Sequence, residues 1–344
     1  MITQSAPLFD AVLIGGGSAA LIAGLLCILI PLGIHFGFRA PRVRLQGTPE
    51  DLGLPFQSVR IPTARRRSLA AWLIPANDDR TQTNAGSAGS TQRARSSVLI
   101  LHGWGSNAEQ MLPLALPLAM AGFNLLLINA RNHGDSDSDT FSSLPRFAED
   151  LEHAIDWLLN EYPNRASGVA VIGHSVGAGA ALLSATRHPS INSAISLSAF
   201  AHPAEVTARV MAHLPVPKLA VTLVVRYTEW LIGYRFDTIA PVNSIRSVSC
   251  PVLLAHGLSD PLVPFSDAEQ IHQQRTHDGV QLIALPGAGH AATDKLQEYS
   301  GHLVAFLDAT LNGVHHAAAN RPGSSRPGTA PNKGKAPVPA ESLR

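Results

Sequence analysis

Between residues 68 and 285 the chain alternates short apolar runs with amphipathic stretches. Residues 98–101, Val-Leu-Ile-Leu, and 124–128, Asn-Leu-Leu-Leu-Ile, are nearly continuous apolar runs flanked by polar residues or glycine. Such runs predict strands buried on both faces. Residues 68–74, 168–172, 194–197, 252–255 and 281–285 predict further strands. Between them, Phe147, Leu151, Ile155, Leu158 and Leu159 recur at intervals of three and four, so 144–162 predicts a helix with one face on a sheet. Residues 107–121 and 175–187 predict two more helices. Alternation of this kind implies an α/β fold, with a mostly parallel central sheet flanked by helices.

The rhythm lapses at about residues 200–245, where the apolar-rich stretch 206–233 predicts two helices lying over the sheet edge as a cap. Pro215, Pro217, Lys218, Arg226 and Glu229 interrupt that stretch and argue against a membrane span. A span is expected at the N-terminus instead. No Asp, Glu, Lys or Arg lies between Asp10 and Arg39, and residues 11–34 as a helix would cover about 36 Å, more than a hydrocarbon core of about 30 Å. No basic side chain precedes the run, unlike a cleaved leader, so a retained single-pass transmembrane helix is expected over 11–38. Arg39, Arg42 and Arg44 follow it and only Asp10 precedes it, which places the body on the cytoplasmic side. Gly15, Gly17 and Ala20 imitate a dinucleotide-binding turn, but the apolar run continues to Ile34 and the next acidic residue is Glu50, so they fit small residues in a membrane helix.

The expected organisation is therefore a short segment 1–10, the span 11–38, a juxtamembrane linker 39–57, a folded body 58–312 and a disordered tail 313–344 rich in Ala, Pro, Gly and Ser. Residues 77–97 predict a long exposed loop. With 344 residues, 45% of them apolar, the chain can bury a large core. A net charge of +1 with 15% charged residues excludes a broad basic field for nucleic acid. Cys27 and Cys250 are too few for a disulfide framework or a zinc site and are expected as buried thiols.

Candidate chemistry sits at the ends of the predicted strands. Gly173-His174-Ser175-Val176-Gly177 is a G-x-S-x-G between a strand and a helix, a tight turn that lifts a serine clear of the sheet. A serine hydroxyl is a weak nucleophile near neutral pH, so a histidine must accept its proton and an acid must orient that histidine. Asp260 follows the strand at 252–255 and His290 follows that at 281–285, giving the chain order Ser, Asp, His. Asp267 is the alternative acid, although three residues after Pro264 it suits a helix start. His102, His174 and His256 each flank a motif glycine and are expected to pack or support rather than react.

Together Leu101-His102-Gly103-Trp104-Gly105, Gly173-His174-Ser175-Val176-Gly177, His256-Gly257-x-x-Asp260 and Gly287-x-Gly289-His290 resemble the α/β-hydrolase superfamily, over about residues 58–311. The resemblance implies that the backbone amides of Trp104 and Val176 form the oxyanion hole. It also likens residues 129–136, Asn-Ala-Arg-Asn-His-Gly-Asp-Ser, to the polar loop after the family's fourth strand, expected to be structural.

The expected activity is hydrolysis of carboxylic ester or related acyl bonds through an acyl-enzyme on Ser175, with an apolar, small-molecule or lipid-like substrate and no cofactor or metal. An acyltransferase or a peptidase would use the same residues, and a membrane-tethered interaction protein could keep the fold without turnover. In the cap, Met211, Leu214, Val221, Leu223, Val224, Tyr227, Trp230 and Leu231 are candidate pocket residues.

Overall fold

The computed structural model describes residues 24–25, 28–29, 31–76, 96–212, 215–290 and 293–319. Strands β1 (Gln57–Thr63), β2 (Arg67–Ile74), β3 (Ser97–Leu101), β4 (Asn124–Ile128), β5 (Val169–His174), β6 (Ile191–Leu197), β7 (Val252–Gly257) and β8 (Val280–Leu285) form one sheet in the order β1-β2-β4-β3-β5-β6-β7-β8. β2 is antiparallel to both β1 and β4, and every other neighbouring pair is parallel. The helices of six or more residues that follow residue 100 are α1 (Leu112–Met120), α2 (Leu144–Glu161), α3 (Val176–Ala185), α4 (Pro203–Met211), α5 (Lys218–Ile232), α6 (Phe265–Gln273), α7 (Thr293–Glu298) and α8 (Ser300–Ala319).

Period-two alternation along each strand distributes its side chains between two cores. Leu99, Leu101, Leu126, Ile128 and Val171 meet the apolar faces of α2 and α3. Val98, Ile100, Leu125, Leu127 and Ile172 meet α1 and α8. Both faces of β3 and β4 are thus buried, which is why their sequences do not alternate. On α2 the predicted stripe of Phe147, Leu151, Ile155 and Leu158 is fully buried, and burial of a side chain such as Phe147 contributes about 3 kcal/mol.

Several expected boundaries shift. β1 had no predicted strand, yet Val59, Ile61 and Thr63 alternate inward between exposed Ser58, Arg60 and Pro62, as a half-buried edge strand requires. The helix expected from residue 107 begins as a tight turn at Ala108–Met111, with the Asn107 carboxamide accepting from the Gln110 amide at 3.4 Å. It becomes α-helical only at Leu112, where Pro113 occupies the first turn. At the other end α8 continues past the expected limit at residue 312 to Ala319, through Ala317, Ala318 and Ala319, the strongest of helix formers. The remainder of the expected tail, residues 320–344, lies outside the described residues, as do 77–95 of the expected loop and Cys27.

The N-terminal region is described only in part. No helix among the described residues is long and apolar enough to cross a membrane. Of the span expected over 11–38, residues 11–23, 26–27 and 30 lie outside the described residues. Residues 31–37 are helical, and the chain then lies along the body rather than forming a free linker. The Phe38 carbonyl accepts from the Ser142 amide at 2.9 Å. The Arg42 guanidinium, counted in the charge bias after the apolar run, donates to the carbonyls of Gly134 and Ser136 at 2.6 and 2.8 Å. The Gln46 amide donates to Glu109 at 2.7 Å.

The stretch expected as a cap contains α4 and α5. It is tied down by one ion pair: Arg209 on α4 donates to both carboxylate oxygens of Asp267 on α6, at 2.8 and 2.7 Å. Asp267 is buried and also accepts from the Ala201 amide at 3.0 Å. Removing the guanidinium strands a buried carboxylate at a cost of about 2 kcal/mol. Arg209→Ala is therefore expected to raise amide exchange at least tenfold across residues 203–211 while leaving β5 and β7 protected, measured by hydrogen-exchange mass spectrometry.

Candidate active site

The parallel strands deliver their carboxyl-end loops to one edge of the sheet, where open α/β sheets collect their chemistry. β5 ends at His174, and Ser175 turns the chain into α3 with φ 55° and ψ −117°. That backbone is strained for a residue with a side chain. The crossing around it leaves no space: a Cβ on Gly173 would fall 2.0 Å from the Gly177 carbonyl oxygen, and one on Gly177 would fall 2.4 Å from that of His102. Only glycine fits at either place.

Asp260 lies in the loop after β7 and His290 in the loop after β8, brought together by pairing of the two strands. A Cβ on Gly257 would fall 2.3 Å from the Ala288 carbonyl oxygen, so the loops approach backbone to backbone. His290 Nε2 accepts from the Ser175 hydroxyl at 2.9 Å, and His290 Nδ1–H donates to Asp260 Oδ2 at 2.7 Å. The other carboxylate oxygen of Asp260 accepts from the amides of Leu262 and Val263 at 2.9 and 2.8 Å. Burial alone would raise the Asp260 pKa, but its hydrogen bonds with His256, His290 and the Val263 amide hold the carboxyl well below the usual range. It is an anion at any working pH.

Asp267 is not the partner of His290; its carboxylate is spent on Arg209 and Ala201. The flanking histidines brace the loops. His174 Nε2–H donates to the His290 carbonyl at 2.7 Å, linking the serine's own strand to the loop that carries His290. His256 Nε2–H donates to the Val263 carbonyl at 2.8 Å and closes the turn around Asp260. His102 Nδ1–H donates to the Gly103 carbonyl at 2.7 Å while its Nε2 accepts from the Ala130 amide at 3.1 Å.

His133 carries a role that its motif did not reveal. Its Nε2 accepts from the Gly105 amide at 3.2 Å and its Nδ1–H donates to the Arg131 carbonyl at 2.9 Å. The glycine-rich loop that presents the Trp104 amide is therefore braced from β4's following loop. Arg131, itself buried, pairs with Asp150 on α2 at 2.7 Å and with Asp139 at 3.2 Å. Burial pushes the Asp150 carboxyl up to about 6 despite the guanidinium. A carboxylate on the apolar stripe between Phe147 and Leu151 was the available signal that α2 meets a buried cation.

Ser175 and Val176 open into a cavity of about 570 Å³. Its lining is apolar and includes Trp104, Phe200, Val206, Val210, Met211 and Val224. Met211 and Val224 are thus the two of the expected cap residues that line it. Leu223 and Trp230 are exposed, and Leu214 lies outside the described residues. Phe38, absent from the expected set, packs edge-on against Trp104 with ring centroids 6.0 Å apart. No cluster of three or more His, Cys, Asp or Glu suited to a metal occurs among the described residues. Burial pushes the Cys250 thiol up to about 11, so it is no nucleophile.

The chain has the α/β-hydrolase fold. A family model described as Hydrolase_4, serine aminopeptidase S33, matches residues 92–239. A monoacylglycerol lipase of Mycolicibacterium smegmatis is 24% identical over 229 residues, 57% of this chain and 81% of the lipase. An Escherichia coli esterase is 25% identical over 221 residues, 57% of this chain and 82% of the esterase. A solved Pyrococcus furiosus esterase superposes with a TM-score of 0.62 at 24% identity, covering 79% of this chain and 97% of that one. The family model and these relatives support a hydrolase.

The buried histidines set an acid limit. Burial, with His133 adding to it, lowers His102 to about 3, and burial lowers His133 to about 4, whereas an unfolded histidine titrates near 6.5. Both native pKa values are depressed, so between about 6.5 and 4 the unfolded chain binds more protons and stability falls with falling pH. Each group contributes up to about 1.4 kcal/mol per pH unit. The melting temperature is expected to drop between pH 7 and pH 5, and His102→Gln is expected to flatten that slope in a pH series of thermal melts.

Proposed function

We propose that the protein is a serine hydrolase of carboxylic esters with an apolar acyl group. The observation that carries this is the unbroken hydrogen-bonded chain from Ser175 through His290 to Asp260, opening into an apolar cavity.

In this mechanism Ser175 attacks the ester carbonyl as its proton passes to His290 Nε2. The Asp260 carboxylate holds Nδ1–H and stabilises the imidazolium that forms. The amides of Trp104 and Val176 receive the developing oxyanion; Val176 opens α3, where backbone N–H groups lack helical acceptors and the dipole favours negative charge. The imidazolium returns its proton to the departing alcohol, leaving an acyl-enzyme. Water, deprotonated by His290, then releases the acid and restores Ser175.

The lining favours an ester over a peptide with a free amino terminus: among the described residues none that lines it is acidic, so these offer no carboxylate to an α-ammonium group. An acyltransferase would differ only in an acceptor that displaces water. We further infer that residues 11–38 hold the enzyme at a membrane with the body on the cytoplasmic side, a reading supported by the charge-free run and the arginines after it.

A fluorophosphonate probe is expected to label the full-length protein, and Ser175→Ala to abolish both labelling and turnover of p-nitrophenyl esters. Asp260→Asn is expected to lower kcat on the order of 10³- to 10⁴-fold, because the imidazole loses its orienting charge and tautomer. Folded wild type that neither labels nor turns over esters would overturn the reading.

A further inference from the structure

The helical segment at residues 31–37 has an apolar surface on two sides. Towards the body, Ile34 and Gly37, with Phe38 beyond them, form part of the wall of the cavity that holds Ser175. Away from it, Leu32 and Phe36 are 46% and 63% exposed, and Leu25, Ile28 and Leu29 are exposed at the same three- and four-residue spacing. At 3.6 residues per turn Leu32 and Phe36 fall within an arc of roughly 40°, with Ile34 on the opposite side. A helix apolar all round is either buried in protein or set in a membrane.

A matching surface exists on the cap. Leu219, Leu223 and Trp230 of α5 are exposed and fall within an arc of roughly 40°. Between the two helices runs a groove of about 270 Å³, lined by Pro31, Leu32, His35, Phe36 and Arg39 on one side and Tyr227 of α5 on the other. The ring of Tyr227 packs against Trp230 with centroids 5.5 Å apart. Exposing this much apolar surface to water is unfavourable. The occupant is indicated by the chain itself, since residues 11–34 carry no charged side chain and lead directly into the exposed face.

We propose that the N-terminal helix is a wall of the acyl-binding site as well as an anchor, and that the substrates are long-chain acyl esters entering from a bilayer through the groove beside α5. This rests on the serine-hydrolase reading above. The outer faces of the helix and of α5 contact lipid chains, while the inner face at Ile34, Gly37 and Phe38 receives the substrate's acyl chain. A substrate that never leaves apolar surroundings avoids the unfavourable exposure of its acyl chain to water.

The test uses the full chain reconstituted in phosphatidylcholine vesicles, with p-nitrophenyl acetate as the short ester and 4-methylumbelliferyl oleate as the long one. A Cβ on Gly37 meets nothing within 4 Å, so Gly37→Leu fills the cavity without a clash and raises helix propensity. Gly37→Leu and Ile34→Trp are each expected to lower the oleate-to-acetate ratio of kcat/KM at least tenfold. Leu25→Ala, outside the cavity wall, is expected to keep that ratio within twofold of wild type. Wild type is expected to hydrolyse oleate ester in its own vesicles at least tenfold faster than ester supplied in separate vesicles. An unchanged ratio in both cavity variants, or equal rates from the two vesicle arrangements, would overturn the proposal while acetate turnover keeps the hydrolase reading intact. Absence of fluorophosphonate labelling in wild type would overturn both.

Discussion

A residue at φ 55° between a strand and a helix imposes conditions on everything within a few ångströms of it. At Ser175 the strain is of order 1–3 kcal/mol and persists because the surroundings permit no relaxed alternative. Gly173 and Gly177 must lack side chains so that the chain can double back, and Gly177 must also pass the carbonyls of Leu101 and His102 at the end of β3. The same crossing aims the serine hydroxyl away from the sheet and brings the first amides of α3 beside it. The proposed nucleophile and the proposed oxyanion donor are therefore products of one steric constraint.

Around that crossing the loops are held by histidines that bond to backbone groups. His102 and His133 fix the loop that carries Trp104, His174 fixes the backbone of His290, and His256 closes the turn around Asp260. A neutral imidazole offers one donor and one acceptor at fixed separation, so it can join two backbone segments without an uncompensated charge. Where charge is buried, at Arg131 with Asp139 and Asp150 and at Asp267 with Arg209, it is paired across elements. The first group secures the loop after β4, and the second fastens the cap.

The cavity belongs to three separate parts of the chain: the sheet edge, the cap helices and the segment before β1. Ser175 and Val176 lie at one end, α4 and α5 supply much of the apolar wall, and Ile34, Gly37 and Phe38 supply another part of it. The tie from Phe38 to Ser142 and those from Arg42 to Gly134 and Ser136 make the N-terminal segment part of the body.

Local periodicity and motif chemistry were sufficient for the α/β alternation, for most of the strands, for the helices α4 and α5 and for Ser175, Asp260 and His290 as a candidate set. Each of those inferences depends on neighbours in sequence, where backbone geometry converts spacing into facing direction. β1, the role of His133, the partner of Asp267 and the docking of residues 38–46 were not legible, because each depends on a contact with a distant part of the chain. Arg42 shows the difference: its position after an apolar run suggested a membrane flank, yet its guanidinium meets carbonyls more than 90 residues away. The sequence by itself determined which residues could do chemistry and the order in which strands present them; only tertiary packing decided that an N-terminal helix shares a cavity with Ser175, since no local pattern encodes which surfaces meet once the sheet has closed.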